Sequence, residues 1–160
     1  MEPSPVFADG RSARAPVEGT VARGQQHADE GLQTGMAGKT ALNILPFPLT
    51  RQVLARGQER FNIFCAPCHD RLGTGEGMVV RRGLRRPPSY HIDRLREAPL
   101  GYFVDTMTTG FGAMPDYAGQ VPPADRWAIA AYIRALQLSQ NARLADVPPT
   151  ERKKLEDQKP

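Results

Sequence analysis

The chain has 160 residues and a formal net charge of +4, with 15 glycines, 15 prolines and 40% hydrophobic residues. This length suits one domain, but the apolar content is low for a core of that size, so part of the chain is expected to lie outside the core. No apolar run is long enough to span a bilayer, and the first residues lack the basic and apolar regions of a signal peptide. The composition argues against a membrane-spanning protein, and we expect the chain as given to be soluble.

Residues 1–48 are predicted to form an extended arm. They contain six glycines and five prolines and show no sustained helical or strand period. A flexible linker is one interpretation. The apolar side chains of this segment instead favour a strap that binds a partner, because a pure spacer does not need them. These side chains are Val6, Phe7, Val17, Val21, Leu32, Leu42, Ile44, Leu45 and Phe47.

A helix is predicted to begin after Leu49 and to end near Cys65. Apolar or small side chains recur every four residues from Leu49 to Phe61, which gives one apolar stripe. Thr50 is the predicted N-cap. Gly57 lies in the middle of the stripe, where glycine costs about 1 kcal/mol relative to alanine, so we expect another helix to cross closely there. A merely tolerated glycine is the alternative.

The segment Cys65-Ala66-Pro67-Cys68-His69 has the C-x-x-C-H pattern by which a c-type haem is attached. Cys65 and Cys68 are spaced to form thioether bonds with the vinyl groups of one porphyrin, and His69 follows as the proximal iron ligand. A chance match, a redox dithiol and half of a zinc site are the alternatives. Only two cysteines and three histidines are present, which disfavours zinc, and the strand-helix pattern of a thioredoxin-like protein is missing. We therefore predict one covalently bound haem c.

A glycine-rich turn, Gly73–Gly77, and an arginine-rich stretch follow the motif. Residues 71–96 hold seven arginines against Glu76 and Asp93, and residues 49–140 contain no lysine. A solvated face, pairing with haem propionates and docking to an acidic partner are the three interpretations. Nucleic acid is disfavoured as a partner, because no recognised binding motif accompanies the charge.

Two features of this stretch concern the proximal ligand. The pair Pro87-Pro88 is placed to offer a backbone carbonyl to the His69 ring, which would fix its tautomer. His91 is the only other histidine between residues 49 and 140. Iron ligation by His91 is one interpretation, and a hydrogen-bonded surface histidine is the simpler one.

Two more helices are predicted. The first runs from Leu95 to Gly110, with Pro99 near its first position and Met107 on its apolar face. The second begins at Pro122-Pro123 and is followed by a polar tail over residues 141–160. The buried side of the last helix is supplied by Trp127, Ile129, Ala130, Tyr132, Ile133 and Leu136.

The sixth ligand of the iron is predicted to be Met114. It lies in the segment Gly110–Pro115, which has no helical period and whose glycines let the backbone pass close to a flat ligand. Met107 is explained as a core residue, and Met78 ranks behind both. A loop of this kind can present a thioether to iron.

The order of these features resembles that of class I cytochromes c over about residues 49–140. The chain is similar, more closely, to the monohaem cytochrome c subunit of bacterial alternative complex III. In class I cytochromes the first and last helices cross at a contact between glycine and aromatic residues, which implies Gly57 and Phe61 against Tyr132. The segments that carry the closer resemblance are Phe7–Ser12, Gly19–Gly24, Pro88–His91, Gly101–Phe103, Gly110–Tyr117 and Asp125–Ile129.

The resemblance implies an all-α class I cytochrome c fold around one haem c. The arm is then residues 1–48, the cytochrome domain residues 49–140 and the tail residues 141–160. It also implies an electron carrier within a larger complex, and not an enzyme in its own right. The implied haem-binding residues are Cys65, Cys68, His69 and Met114, of which the last two ligate the iron.

The same resemblance implies a place in a membrane complex that oxidises quinol. The expected partners are its other subunits, including a multihaem cytochrome, and a terminal oxidase or soluble electron acceptor. Covalent haem attachment takes place outside the cytoplasm, so the expected location is the periplasmic side of the bacterial inner membrane, with an export signal or lipid anchor upstream. A c-type haem domain serving a dehydrogenase, or a haem sensor with an open iron position, is the alternative from a different class.

Overall fold

The computed structural model describes residue 20 and residues 29–157. Predictions that concern residues 1–19 and 21–28, including those for Phe7 and Val21, lie outside this part of the chain. Within it the chain is mostly helical, with one antiparallel pair of two-residue strands. The elements are α1 (Glu30–Thr34), β1 (Met36–Ala37), β2 (Thr40–Ala41), α2 (Arg51–Phe64), α3 (Ala66–His69), α4 (Asp93–Glu97), α5 (Leu100–Thr109), α6 (Pro123–Asn141) and α7 (Pro149–Asp157), with 3-10 turns at Val80–Arg82 and Leu144–Asp146.

The long helix α2 begins where the sequence predicts. The Thr50 hydroxyl accepts a hydrogen bond of 3.2 Å from the backbone N–H of Val53 and caps the helix. The predicted crossing with α6 is also confirmed. The backbone of Gly57 lies against that helix, and the rings of Phe61 and Tyr132 pack edge to face with centroids 5.4 Å apart.

The region predicted as one helix from residue 95 to residue 110 forms two helices. Ala98 and Pro99 separate α4 from α5 in extended backbone, and Pro99 is the N-cap of α5 instead of a residue in its first turn. The cause is steric, because a proline disfavours helical backbone at the residue before it. Gly110 ends α5, as predicted.

The last long helix, α6, begins at Pro123 and has Asp125 in its first turn. Its buried side packs with Phe61 of α2 and with Val104 and Met107 of α5 to form the hydrophobic core. The predicted apolar side is confirmed, except that Tyr132 is only half-buried at the crossing with α2. The core residues from α6 are Trp127, Ala128, Ile129, Ala130, Ala131, Ile133 and Leu136.

Residues 29–47 pack on the chain's own helices instead of extending away from them. The indole Nε1 of Trp127 donates to the carbonyl of Leu32 at 2.9 Å, and the N–H of Gly101 donates to the carbonyl of Leu42 at 2.6 Å. The prediction of an extended arm up to residue 48 is therefore corrected for this segment. The physical reason is that α5 and α6 offer it hydrogen-bonding groups and an apolar surface.

The polar tail predicted for residues 141–160 has helical structure over much of its described length. In α7, Lys154 and Glu151 form an ion pair of 2.9 Å on one exposed face. The Arg152 side chain donates to the carbonyls of Ala145 and Val147 and so ties α7 to the preceding turn. Within residues 29–157, no helix is both long and apolar enough to cross a membrane.

Candidate haem-binding site

The C-x-x-C-H motif lies at the junction of α2 and α3. Cys65 ends one helix and begins the next: its N–H donates to the carbonyl of Phe61, and its carbonyl accepts from the N–H of His69, both at 2.9 Å. The N–H of Cys68 also donates to the Cys65 carbonyl, at 3.1 Å. These bonds hold both thiols and the imidazole on one tight turn.

Both cysteines are free thiols. Cys65 is buried and Cys68 is half-buried. Burial raises the pKa of the Cys65 thiol to about 12, and its electrostatic interaction with Cys68 acts in the same direction. Cys65 is therefore a neutral thiol, which argues against a redox dithiol, because the reactive group in such a site is a low-pKa thiolate.

The His69 side chain is buried and neutral. Desolvation lowers its pKa to about 4, although the neighbouring Asp70 acts to raise it. A neutral imidazole keeps the lone pair that binds a metal ion. Its Nδ1 has no hydrogen-bond partner within the described residues, so the predicted bond to the carbonyls of Pro87-Pro88 is not formed.

Asp70 organises the turn after the motif, a role that the sequence analysis missed. It has a φ of 56°, and its carboxylate accepts from the N–H groups of Leu72 at 2.6 Å, Thr74 at 3.1 Å and Glu76 at 2.9 Å. The Thr74 hydroxyl donates to it as well. Desolvation acts to raise the pKa of Asp70, but these hydrogen bonds outweigh it and lower the pKa overall. The sequence does contain a signal for this role, namely an acidic residue directly after the motif with a threonine four residues later.

The glycine-rich turn is also bonded directly to the motif. The N–H of Gly75 donates to the carbonyl of His69, and the N–H of Gly77 donates to the carbonyl of Cys68, both at 3.0 Å. The motif and the turn therefore form one hydrogen-bonded unit.

A second residue that the sequence analysis missed is Tyr90. Its ring stacks on the imidazole of His69, with centroids 4.6 Å apart and 16° between the planes. Burial raises the pKa of the Tyr90 hydroxyl well above its usual value, and the nearby Cys65 thiol contributes in the same direction. Tyr90 is an isolated aromatic residue outside the helices and is not part of a repeating pattern, so the sequence did not indicate this contact.

Met114 lies in the loop after α5, as predicted. Phe111 and Met114 exchange two backbone hydrogen bonds of 3.0 Å, and the Met114 side chain is half-buried against the core. Met107 is only 5% exposed on α5, as expected for a core residue, whereas Met78 is 56% exposed. The role of Met114 as an iron ligand stays a prediction.

His91 makes the hydrogen bond that the simpler interpretation expected. Its Nε2 lies 2.7 Å from the carbonyl oxygen of Leu72, which also accepts from the Gln140 side chain at 3.2 Å. His91 thus joins the turn after the motif to the loop that follows Tyr90.

The residues present fit a c-type haem. Two free thiols separated by two residues lie on one turn, and a buried, neutral imidazole directly follows them. The described residues contain no group of three or more His, Cys, Asp or Glu side chains that could hold a metal ion. Protein ligands alone are therefore too few for a zinc site, whereas a porphyrin supplies its own nitrogen ligands.

A comparison with protein families finds a match that covers this site. The family described as cytochrome C oxidase, cbb3-type, subunit III matches residues 52–133. The matched region includes the motif, the Met114 loop and the crossing of α2 with α6. A comparison with curated proteins finds no match.

Proposed function

The chain belongs to the family of cbb3-type cytochrome c oxidase subunit III, and from this membership we propose that it carries single electrons on one haem c bound through Cys65 and Cys68. A cytochrome c domain transfers electrons by means of haem. The observation that carries the proposal is a buried, neutral His69 that directly follows two free thiols on one tight turn.

In this proposal each residue of the site has a distinct task. Cys65 and Cys68 would hold the haem covalently, and His69 and Met114 would bind its iron. Bound in this way, haem supplies reversible one-electron exchange at a potential raised by the methionine ligand. The turn between α2 and α3 orients His69, and the core cluster to which Cys65 and Met107 belong would keep water away from the site.

Haem staining of a denaturing gel tests the covalent attachment. The protein is produced together with a haem-attachment system, and the wild-type band is expected to keep the stain. The double variant Cys65→Ala, Cys68→Ala should lose it. An unstained wild-type band would contradict the proposal.

The alternative class, a dehydrogenase domain or a haem sensor, is tested with carbon monoxide. An electron carrier with two protein ligands has no open iron position. The visible spectrum of the reduced wild-type protein is therefore expected to stay unchanged under carbon monoxide. A shifted spectrum would favour the alternative.

We further propose that the protein is a resident subunit of a membrane quinol-oxidising complex, of the alternative complex III type, on the periplasmic side of the bacterial inner membrane. It would receive electrons from a multihaem subunit and pass them to a terminal oxidase or a soluble carrier. The support is the resemblance of the segments Gly110–Tyr117 and Asp125–Ile129 to the monohaem subunit of that complex.

The charge around the motif supports a lasting protein partner. Arg71, Arg81, Arg82 and Arg85 are exposed, and the ion pairs found among the described residues leave all four without a carboxylate. Three of them line a groove of about 560 Å³ beside the motif, together with the exposed Met78 and the carboxylates of Asp70 and Glu76. Guanidinium groups suit specific pairing with carboxylates, so an acidic protein surface fits this groove.

Two truncations test the N-terminal part of this proposal. Removal of residues 2–28 leaves the packed segment 29–47 in place, whereas removal of residues 2–47 also deletes that segment. The shorter truncation is expected to keep the haem spectrum and the stability but to lose co-purification with the membrane complex. The longer one should lose stability as well. Full co-purification of the shorter truncation would contradict a partner-binding role for residues 1–28.

The arginine groove is tested separately by charge reversal. The double variant Arg81→Glu, Arg82→Glu is expected to weaken co-purification, because it replaces two of the groove's three arginines with negative charge. The double variant Arg51→Glu, Arg94→Glu, at two exposed positions outside the groove, is the charge-matched control and should have little effect. Equal losses in both variants would indicate general electrostatics instead of a specific groove.

A further inference from the structure

The ring of Tyr90 lies face to face with the imidazole of His69. The centroids are 4.6 Å apart and the planes differ by 16°. Tyr90 is only 8% exposed, so the stack is closed to solvent. A face-to-face contact covers one face of the imidazole and leaves its edge, where both nitrogens lie, available for other bonds.

His69 lacks the hydrogen bond that normally orients a metal-binding histidine. Such a histidine usually donates its second ring N–H to a carbonyl or carboxylate, which fixes the rotation of the ring. In this structure Nδ1 of His69 is buried and has no partner among the described residues. The stack on Tyr90 is a contact that can restrain rotation of the imidazole about its Cβ–Cγ bond where this hydrogen bond is not formed.

Tyr90 is itself held firmly. Its N–H donates to the carbonyl of Gly73 at 2.9 Å, and its carbonyl accepts from the buried side chain of Gln137 at 2.7 Å. The rings of Phe61 and Phe103 pack against it with centroid distances of 6.1 and 6.0 Å. Gly73 has a φ of 77°, and a Cβ there would lie 2.8 Å from the Tyr90 ring. A ring confined on these sides can hold a neighbouring ring in one orientation.

We propose that Tyr90 is the positioning residue of the proximal ligand, and that its stacked ring sets the rotation of the His69 imidazole in place of the usual hydrogen bond. This inference rests on the proposed function, in which His69 ligates a haem iron. Tyr90 acts through His69 and is not itself a ligand. The requirement is for an aromatic ring, because stacking needs the ring face and not the hydroxyl.

Three variants of the haem-loaded full chain test the proposal. Tyr90→Phe keeps the ring, and Tyr90→Leu removes it. Tyr132→Leu is the matched control, because it removes another ring that packs on Phe61 but does not stack on His69. The measurements are the reduction potential and the electron paramagnetic resonance spectrum of the ferric protein, which is sensitive to the orientation of the axial imidazole.

Tyr90→Phe and Tyr132→Leu are expected to keep the wild-type potential and spectrum. Tyr90→Leu should shift the potential and broaden the spectrum, since the imidazole then samples several orientations. A wild-type potential and spectrum in Tyr90→Leu would overturn the inference. So would an equally large change in Tyr132→Leu, because the effect would then follow from loosened packing.

A measurement on the wild-type protein does not depend on whether Tyr90→Leu folds. Nuclear Overhauser effects between the Tyr90 ring and the His69 imidazole are expected in the reduced, haem-loaded protein. Their absence would overturn the inference. A wild-type chain that binds no haem would overturn the proposed function and this inference together, whereas unchanged Tyr90→Leu spectra in a haem-bearing protein overturn the inference alone.

Discussion

The indole Nε1 of Trp127 donates a hydrogen bond of 2.9 Å to the carbonyl of Leu32, 95 residues earlier in the chain. The adjacent Arg126 donates to the carbonyl of Gln33, also at 2.9 Å. The start of α6 thus holds the end of α1, and the strands that follow α1 contact α5. Residues 29–47 therefore belong to the same packed unit as the long helices.

Trp127→Phe should lower the free energy of unfolding by about 1 to 3 kcal/mol. The substitution leaves the Leu32 carbonyl without its indole donor and removes buried ring volume. Denaturant unfolding of the haem-loaded protein measures the change. Tyr132→Phe is the control, since it removes only a hydroxyl that contacts the exposed Gln58 side chain, and it should have an effect within about 0.5 kcal/mol. An unchanged Trp127→Phe midpoint would mean that this contact contributes nothing to stability.

Gly57→Ala should destabilise the protein by about 1 to 3 kcal/mol. A Cβ at this position would lie 2.1 Å from the carbonyl oxygen of Ala128, so the two helices must move apart. The better helix propensity of alanine offsets only about 1 kcal/mol of this loss. Gly119→Ala is the matched control, because a Cβ there meets nothing within 4 Å. Equal stability of the two variants would contradict close contact at the crossing.

The helix crossing could be predicted from the sequence, whereas the packing of residues 29–47 could not. Gly57 interrupts an apolar stripe in a helix, and this costs stability unless another backbone approaches, so the residue itself carries the signal. The strands Met36–Ala37 and Thr40–Ala41 are too short to show a period. The strands are supported by contacts with α5, which lies far away in the sequence.

In the candidate site, too, some features could be predicted from the sequence and others could not. The cysteines and His69 are contiguous, so their spacing alone predicts their joint chemistry. Asp70 and Tyr90 act through contacts that exist only after folding: one caps a turn at a φ of 56°, and the other stacks on a ring 21 positions earlier in the numbering. Neither contact leaves a repeating pattern in the chain.

Met114→Ala should open the haem iron to carbon monoxide. The loop position of Met114 fits an iron ligand, whereas Met107 is a core residue of α5. Met107→Leu, which roughly conserves volume, should therefore leave the reduced spectrum unchanged under carbon monoxide and cost less than about 1.5 kcal/mol of stability. The opposite result in the two variants would transfer the ligand role to Met107.

Asp70→Asn should destabilise the protein at neutral pH by roughly 1 to 3 kcal/mol, because the backbone N–H groups of the turn lose a charged acceptor. The folded-state pKa of Asp70 lies below its ordinary value of 3.8. Its carboxylate therefore stabilises the fold above pH 3.8, and this stabilisation is lost as the pH falls through the folded-state pKa.

Unfolding measured at neutral pH and below pH 3.8 checks this dependence. The difference between wild type and Asp70→Asn should shrink at the acid end. Asp93→Asn is the control, since the Asp93 side chain is 80% exposed and pairs with Arg96 at the surface. A difference for Asp70→Asn that stays constant with pH would show that the charge of Asp70 does not matter.

The burial of Cys65 has a consequence for the order of events in making the protein. In the folded chain this residue is 9% exposed and belongs to the core, and its thiol is protonated because the pKa is raised to about 12. A bond from its sulfur to a porphyrin vinyl group needs access that the closed core denies. Under the proposed function, haem attachment therefore comes before the core closes. A chain that folds first can no longer form the thioether bond at Cys65.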